Sequence, residues 1–353
     1  MILPRPEPSA GMREYDAERG ARFLTDLRTA TNHVKYLSAR NGASDIDYLP
    51  IKLDIENVSR CNFACTMCAV SKWEHGKRAG DMSLEDFKKL IDEQYGLIEI
   101  KLNGLGEALM QGDVYFEMIK YARKKHIWVR MTTNASLLHL RDNYKKLIDS
   151  GVNEIDISID GHDQQTFEGI RIQSDFNKVI DNCRLLNSYC ESKKITRTKM
   201  WTLVQKGNVA NLDKHLHLAK WMGFKHVVFS TNLHGWADPE LEKRNKEEQV
   251  NLSEDDFKHL IELGENLEIR VSFWDVNDKF ETKPGKRCPW PFSRAVVTSD
   301  LRTVPCCMIG DPDKYEIGKG KTFMQNWKSV EYQDFRKAHL EGKIPDVCKA
   351  CYK

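Results

Sequence analysis

Long hydrophobic runs are missing from this sequence of 353 residues. It contains no stretch of roughly 18 consecutive apolar residues, the length that a membrane-spanning helix needs. The opening residues MILPRPEPSAGMREYDAERG also contain no apolar segment typical of a secretion signal. These two absences predict a chain without a transmembrane helix or a signal peptide, and we expect it to stay in the cytoplasm.

An excess of charge of either sign is missing as well. The chain has 54 Lys and Arg against 52 Asp and Glu, which gives a formal net charge of +2, and 41% of its residues are hydrophobic. This balance argues against a strongly basic nucleic-acid surface and against an acidic tail. We expect a soluble globular protein that binds neither nucleic acid nor membranes and is long enough for one large and one smaller domain.

What the sequence does contain is cysteine, ten in all, at positions 61, 65, 68, 183, 190, 288, 306, 307, 348 and 351. Without a secretion signal these do not indicate a disulfide framework, and metal ligands or catalytic thiols are the more common use. Cys183 and Cys190 share one apolar face of a predicted helix at 175–190, so we expect them in the core. The first and last groups are therefore the candidate functional sites.

An alternation of strand and helix signals dominates the middle of the chain. Strand patterns lie at 51–58, 98–103, 127–133, 154–159, 198–204 and 226–230, and helical patterns lie near 83–95, 114–125, 137–149, 175–190 and 209–222. Such alternation predicts an α/β fold in which crossover helices connect parallel strands. Six βα units are fewer than the eight of a closed barrel, so we expect a partial (β/α)6 TIM-like barrel with its ligand site at the carboxyl ends of the strands.

Composition changes divide the chain into four predicted parts. Residues 1–49 form an N-terminal extension that is partly helical, with a helix near 14–40, and residues 50–235 form the barrel. Residues 236–283 are a linker with helix and strand. Residues 284–353 are a small, cysteine-rich α+β domain.

Three cysteines directly follow the first predicted strand. Cys61, Cys65 and Cys68 have the spacing C-x3-C-x2-C and lie in the first βα loop, at the expected active end of the sheet. Soft thiolates at short spacing suit an iron–sulfur cluster or zinc. Three thiolates on a four-iron cluster would leave one iron open to another ligand. Zinc with a distant fourth ligand and a ferredoxin-type carrier remain alternatives on these residues alone.

This loop resembles the C-x3-C-x-Φ-C motif of the radical S-adenosylmethionine (SAM) superfamily, with Met67 at the Φ position. The resemblance implies a 4Fe–4S cluster on the three cysteines, with SAM bound to the open iron. It also implies an electron donor of the reduced flavodoxin or ferredoxin type. One electron would cleave SAM to a 5′-deoxyadenosyl radical, which abstracts a hydrogen atom from the substrate.

Further motifs resemble the same family. KLNGLGEALM at 101–110 is similar to its Gly-Gly-Glu-Pro motif, ISIDG at 157–161 matches its fourth-strand motif, and MTTNASLL carries Ala135 where glycine is usual. The resemblance implies that Glu107 binds the SAM ammonium group, that Arg171 binds the SAM carboxylate, and that strand-five residues border adenine. The implied SAM-site residues are Met67, Gly106, Glu107, Ser158, Asp160, Arg171, Gln205 and Asn208.

The C-terminal cysteines resemble a SPASM/Twitch auxiliary-cluster domain, through CPWPF, VPCC and a final CKAC. The resemblance implies one auxiliary 4Fe–4S cluster held by Cys288, Cys306, Cys348 and Cys351, with the choice between Cys306 and Cys307 open. The shorter Twitch form fits the seven assigned cysteines better. A closed zinc site is the alternative. Cys307 is also a candidate hydrogen donor to a substrate radical.

The reaction and substrate stay open at this level. Dehydrogenation, epimerisation and cross-linking can all follow hydrogen abstraction. We expect a small polar, sugar-like substrate, because the segment before the barrel lacks the strand pattern of a peptide-recognition domain. A peptide-modifying enzyme that matures RiPPs (ribosomally made, modified peptides) is the alternative, and a zinc-stabilised, non-enzymatic binding protein is a remote one. Candidates to face the substrate are Trp73, Glu74, His75, His234 and Trp236.

Overall fold

The computed structural model describes residues 1–39, 42–73, 76–275 and 287–352. Glu74 and His75, named above as candidates to face the substrate, lie outside the described residues. Within the described ranges, no helix combines the length and the apolar character needed to cross a membrane.

One nine-stranded sheet forms the centre of the fold, in the order β7-β6-β5-β4-β3-β2-β1-β8-β9. Strands β1 to β8 pair in parallel, and β9 is antiparallel to β8. This open parallel sheet confirms the predicted α/β class. The strands are β1 Lys52–Ile55, β2 Glu99–Leu102, β3 Trp128–Thr133, β4 Glu154–Ser158, β5 Thr198–Leu203, β6 His226–Ser230, β7 Arg270–Trp274, β8 Arg294–Val297 and β9 Thr303–Val304.

The sheet extends beyond the six strands that the sequence predicts for the barrel. β7 comes from the predicted linker, where it pairs with β6, and β8 comes from the predicted C-terminal domain, where it pairs with β1. The sheet therefore crosses both predicted boundaries, at 235 and at 284. As a result, the cysteine-rich region is joined to the barrel by main-chain hydrogen bonds as well as by side chains.

Helices cover the outer face of the sheet and connect its strands. The predicted helix at 14–40 is in fact two helices, because Asp26 has an extended backbone between them (φ −141°, ψ 101°). The helices are α1 Met12–Thr25, α2 Leu27–Ala39, α3 Leu84–Glu93, α4 Asp113–Arg123, α5 Asn143–Asp149, α6 Gln164–Ile170, α7 Phe176–Ser192, α8 Leu212–Trp221, α9 Pro239–Glu248, α10 Glu254–Asn266, α11 Trp290–Ser293, α12 Phe323–Trp327 and α13 Val330–Leu340.

Side chains alternate along each strand between an apolar outer face and a polar interior. Outward residues such as Leu53, Ile100 and Ile155 are fully buried in the core beneath the helices. Inward residues are charged and paired: Lys52 Nζ lies 2.5 Å from Glu99 Oε2, and Lys199 Nζ lies 2.5 Å from Glu154 Oε1. The interior of the barrel is thus a network of paired charges.

The C-terminal region packs against the first strand through polar contacts to main-chain atoms. Ile51 N–H donates to Ser293 O at 3.0 Å, and Tyr48 Oη donates to Phe292 O at 2.9 Å. The buried Trp327 donates its indole N–H to Tyr48 O at 2.8 Å. These bonds fix α11 and α12 beside the amino end of β1.

We predict that Lys199→Met destabilises the fold, because the buried Glu154 loses the nearer of its two cations and keeps only Arg130, at 3.2 Å. The side chains of Lys199 and Glu154 are only 1% and 3% exposed. Removing one partner of such a pair should lower the free energy of unfolding by about 2–4 kcal/mol. Urea unfolding measures this change.

Lys220→Met is the matched control for that variant. Lys220 pairs with Glu268 at 2.9 Å, but the two side chains are 40% and 85% exposed. Solvent screens such a pair, so the loss should stay below about 1 kcal/mol. Equal losses in the two variants would contradict a stabilising charge network inside the barrel.

Candidate active site at the carboxyl ends of the strands

The loop after β1 brings three thiols to the carboxyl end of the sheet. Cys65 is buried and Cys61 and Cys68 are half-buried, and all three are free of disulfides. Burial raises the pKa of Cys61 to about 12, with Glu107 and the two other thiols adding to the shift, and raises that of Cys68 to about 11. Bound metal would oppose this cost by its positive charge, since thiols bind metals as thiolates.

The segment that follows α6 holds this loop by its backbone. Ala64 N–H donates to Ile172 O at 2.8 Å, and Thr66 N–H donates to Ile170 O at 3.0 Å. Arg171 lies between these two acceptors. Its Nη1 is 3.9 Å from Cys65 Sγ, so its cation faces the thiol cluster directly.

Asp160 orients Arg171. Its Oδ2 lies 2.6 Å from Arg171 Nη2, and its Oδ1 accepts the Leu203 backbone N–H at 2.7 Å. The side chain of Asp160 is completely buried. Both carboxylate oxygens therefore contact protein groups, one at Arg171 and one at the end of β5. Ser158 lies half-buried on the inner face of β4.

Gly106 and Glu107 connect the loop after β2 to both neighbouring loops. Glu107 N–H donates to Arg60 O at 2.9 Å. A Cβ on Gly106 would clash with the backbone carbonyl oxygens of Arg60 and Val58, so only glycine allows this approach.

The carboxylate of Glu107 is buried and bound by protein donors. It accepts from Thr133 Oγ1 at 2.7 Å, from Asn134 N at 2.8 Å and from Leu109 N at 3.3 Å. Burial raises its pKa, and these hydrogen bonds work against that shift. The carboxylate thus positions the loop after β3, where Ala135 has a left-handed backbone (φ 61°), as expected at a position that usually carries glycine.

Gln205 and Asn208 differ in what they leave available for a ligand. The Asn208 amide donates to Asp160 O and Leu203 O and accepts from Gln205 N, so it closes a turn. By contrast, Gln205 Nε2 is buried and has no hydrogen-bond partner among the described residues. An orphaned buried donor of this kind fits a ligand with an acceptor, such as a nucleobase.

Helix α9 covers the cysteine loop from above. Asn245 donates to Met67 O at 3.1 Å, and Asp238 caps the helix by accepting from Leu241 N at 3.0 Å. Met67 is buried beneath it. The charged segment that the sequence assigns to a linker therefore helps to shield the three thiols from solvent.

The C-terminal cysteines meet in a second, apolar site. Cys288, Cys306, Cys348 and Cys351 line one small cavity together with Trp290, Pro305, Phe335 and Tyr352. Burial raises the pKa of Cys348 to about 12 and also raises the pKa of Cys288 and Cys306. Cys307 contacts Cys306 but is not among the residues that line the cavity, so the geometry favours Cys306 as the ligand.

A buried arginine outside all of the sequence motifs joins the end of β1 to the C-terminal region. Arg78 pairs with Glu56 at the end of β1, lies 3.1 Å from Asp300, and lies 3.9 Å from Asp311. Its side chain is 4% exposed. Nothing in the local sequence signals this role, because its partners lie far apart along the chain.

The other substrate-facing candidates lie around the same end of the barrel. The Arg78 guanidinium carbon lies 5.7 Å from the centre of the Trp73 ring, over its face. The His234 ring lies 6.2 Å from the ring of Trp236 and 6.0 Å from that of Trp274.

The residues that could hold an iron–sulfur cluster and SAM are thus present together: three soft donors, a facing guanidinium and an unpartnered amide.

Comparison with known proteins identifies the same two regions. Residues 57–219 match the Radical SAM superfamily, and residues 288–352 match SPASM, the iron–sulfur cluster-binding domain. The first match begins just after β1 and ends within α8, and the second spans the C-terminal cysteines. The second match is to SPASM as such, and the shorter Twitch form stays a prediction.

Among characterised relatives, the chain is 28% identical over 234 residues to the mycofactocin maturase MftC of Mycobacterium tuberculosis (strain ATCC 25618 / H37Rv). That alignment covers 62% of this chain and 57% of the relative. The chain therefore spans little more than half the length of this relative.

Two solved structures share the fold. SuiB of Streptococcus suis, solved with its precursor peptide SuiA, aligns with a TM-score of 0.67 at 11% identity, over 87% of this chain and 71% of SuiB. The structure of anSMEcpe with bound AdoMet aligns with a TM-score of 0.58 at 21% identity, over 86% of this chain and 88% of the other.

We predict that Gly106→Ala weakens SAM binding and lowers the melting temperature. The added Cβ would push the loop after β2 away from the cysteine loop, because the atoms in its path are backbone. Gly169→Ala in α6 is the matched control, since its Cβ meets nothing within 4 Å. That control should be neutral or stabilising by up to about 1 kcal/mol. Calorimetric SAM titration and thermal melts of both variants measure the difference, and equal SAM affinities would refute the close-approach role.

Both matched domains fall where the structure gathers its thiols, and both domain types bind 4Fe–4S clusters, with SAM on the first. The position of the cysteine loop at the carboxyl ends of an open parallel sheet agrees with that assignment. The chain therefore contains a domain of the radical SAM superfamily, followed by a C-terminal SPASM iron–sulfur domain.

Proposed function

We propose that this radical SAM enzyme modifies a peptide. The observation that carries the proposal is the similarity to MftC, which is named a maturase. A cavity of about 450 Å³ inside the barrel is compatible with it, although most of its strand residues lie at the amino ends of the strands, opposite the first cysteine loop. Its walls combine aromatic rings, among them Trp128, Trp201 and Trp274, with paired charges of both signs, such as Lys199 and Glu154. Charges of both signs beside aromatic rings suit a peptide better than a neutral sugar.

The relatives support the same choice. MftC is named a maturase, and SuiB was solved with a precursor peptide. The sugar-like substrate that the sequence favours has no support among these relatives, whereas the peptide alternative does. Peptide modification is therefore the better hypothesis for the substrate class.

The residues around the first cysteine loop have separate roles in this proposal. Cys61, Cys65 and Cys68 hold the SAM-binding cluster, which together with SAM supplies the 5′-deoxyadenosyl radical that abstracts hydrogen. Arg171, held by Asp160, offers a cation to the SAM carboxylate. Gln205 Nε2 is a donor for adenine. The backbone next to Gly106 binds the SAM ammonium group, while the Glu107 carboxylate mainly positions the loop after β3.

The C-terminal site has a different role because it is closed. Cys288, Cys306, Cys348 and Cys351 supply four thiolates, enough to complete the coordination of a 4Fe–4S cluster. A cluster held by these four thiolates would supply one-electron redox chemistry, the kind that a net oxidation of the substrate needs. Cys307, in contact with Cys306, stays a candidate hydrogen donor for the alternative outcome, epimerisation.

We predict that the two cysteine sites can be emptied independently. Wild-type enzyme with two clusters should contain about eight iron atoms per chain. Replacing Cys61, Cys65 and Cys68 together by Ala should remove about half of the iron and abolish formation of 5′-deoxyadenosine from SAM and dithionite. Replacing Cys348 and Cys351 should remove the other half and leave that cleavage measurable. Iron analysis and chromatography of the products measure both effects.

Cys190→Ala is the matched control for these variants. Cys190 is buried in α7 and packs in the apolar core, so its loss should leave the iron content unchanged. Zinc in place of iron in anaerobically purified protein would refute the cluster assignment.

The substrate class is tested by stimulation of SAM cleavage. Short peptides encoded beside the gene and a panel of sugars are each incubated with reconstituted enzyme, SAM and reductant. We expect one peptide to raise 5′-deoxyadenosine formation above the uncoupled rate. Deuterium from the labelled peptide should then appear in 5′-deoxyadenosine by mass spectrometry. Stimulation by a sugar alone would contradict the peptide proposal.

A further inference from the structure

β7 lies at one end of the sheet and has an outer edge. Its inner edge pairs with β6 and its loops, where Arg270 N–H donates to Lys225 O at 3.0 Å and Thr231 N–H donates to Trp274 O at 3.1 Å. Because backbone groups alternate in direction along a strand, the N–H and C=O groups of Val271 and Phe273 point away from β6. These groups form the outer edge of β7.

A segment of the chain itself, residues 3–8, already lies on this edge. Phe273 N–H donates to Pro4 O at 2.8 Å. Across the described part of the chain, Val271 N–H and the carbonyl oxygens of Val271 and Phe273 have no backbone partner. An edge with open donors and acceptors is a template for a further strand.

Residues 3–8 are seated on the edge by few interactions. Pro4, Pro6 and Pro8 have no N–H, so none of them can donate to the edge carbonyls. Glu7 pairs with Arg270 at 3.1 Å, but the side chains are 54% and 52% exposed, and such a pair contributes little. Leu3 adds partly buried apolar contact with the core. A peptide that donates hydrogen bonds could therefore replace this segment.

The segment also closes the barrel cavity. Its residues Leu3, Arg5 and Glu7 line the same cavity as Trp201 and Trp274. Only Trp274, Thr231 and Asp275 extend this lining to the carboxyl ends of β6 and β7, the end where the first cysteine loop lies, because most of its other strand residues begin their strands at the opposite end. A peptide strand in place of residues 3–8 would send alternate side chains into this cavity.

We propose that the outer edge of β7 docks the peptide substrate as an added strand, and that residues 3–8 occupy this edge in its absence. The inference rests on the proposed peptide-modifying function and names where the peptide binds. Main-chain hydrogen bonds to Val271 and Phe273 supply affinity, and the cavity selects the side chains.

The test uses the full chain, with the contacts that hold residues 3–8 on the edge weakened. Leu3→Asp/Glu7→Arg removes the apolar contact and places two cations together at Arg270. Hydrogen exchange of the Phe273 amide, which donates to Pro4 O, should become at least tenfold faster, as measured by mass spectrometry with fragmentation to single residues. A free peptide of residues 1–10 with its natural sequence, added at millimolar concentration, should restore the protection.

A second probe tests the role of proline. The same peptide with Pro4→Val, Pro6→Val and Pro8→Val regains three N–H groups that can donate to the edge carbonyls. It should bind the weakened variant at least threefold more tightly than the proline probe, as measured by fluorescence anisotropy. Any peptide that stimulates SAM cleavage should displace either probe.

Leu24→Asp is the matched control, because Leu24 is 84% exposed on α1 and does not line the cavity. It should leave exchange in 270–274 unchanged. Four results would each overturn the proposal: unchanged exchange in the weakened variant, no protection by the probe, no gain from valine, and no displacement by a stimulating peptide. Hydrogen exchange and probe binding need neither SAM nor reductant. Failure of the docking proposal can therefore be distinguished from failure of the proposed peptide-modifying function.

Discussion

The contact between Asp160 and Arg171 is the interaction on which the candidate site depends. Asp160 is buried two residues beyond the end of β4, and its two oxygens contact the Leu203 N–H at the end of β5 and Arg171 beside the thiol loop. The backbone on either side of Arg171 then holds Ala64 and Thr66. A buried carboxylate without its cation would be costly, so the pair fixes both the end of the sheet and the loop that carries the thiols.

A second constraint is the position of β1, which links the regions of the two cysteine sites. β1 pairs with β2 on one side and β8 on the other, so the strand that leads into the first cysteine loop also holds the C-terminal region. Arg78 adds a buried cation among Glu56, Asp300 and Asp311. Strand pairing and a buried charge cluster therefore both hold the segment that leads into the first cysteine loop against the C-terminal region.

Local patterns in the sequence predict most of the sheet. The six strands expected from alternation occur within a few residues of their predicted bounds. β8 is harder to place, because a strand of four residues pairs with a partner more than two hundred residues earlier in the chain. The break between α1 and α2 at Asp26 is also hard to predict. Arg22, just before the break, binds Leu97 O and Tyr95 O, and these partners lie more than seventy residues later in the chain.

Cysteine spacing alone indicates metal-binding chemistry: two groups of soft thiols, one with three members and one with five, on an α/β scaffold. Ligand type and spacing are local properties, so they can be read without coordinates. Only the tertiary structure decided how the other residues are used. It directs the oxygens of Asp160 and Glu107 toward protein donors, leaves Gln205 Nε2 unpartnered among the described residues, and lines the second cavity with Cys306. These outcomes depend on which distant backbone groups come within hydrogen-bonding distance, and spacing along the chain carries no such information.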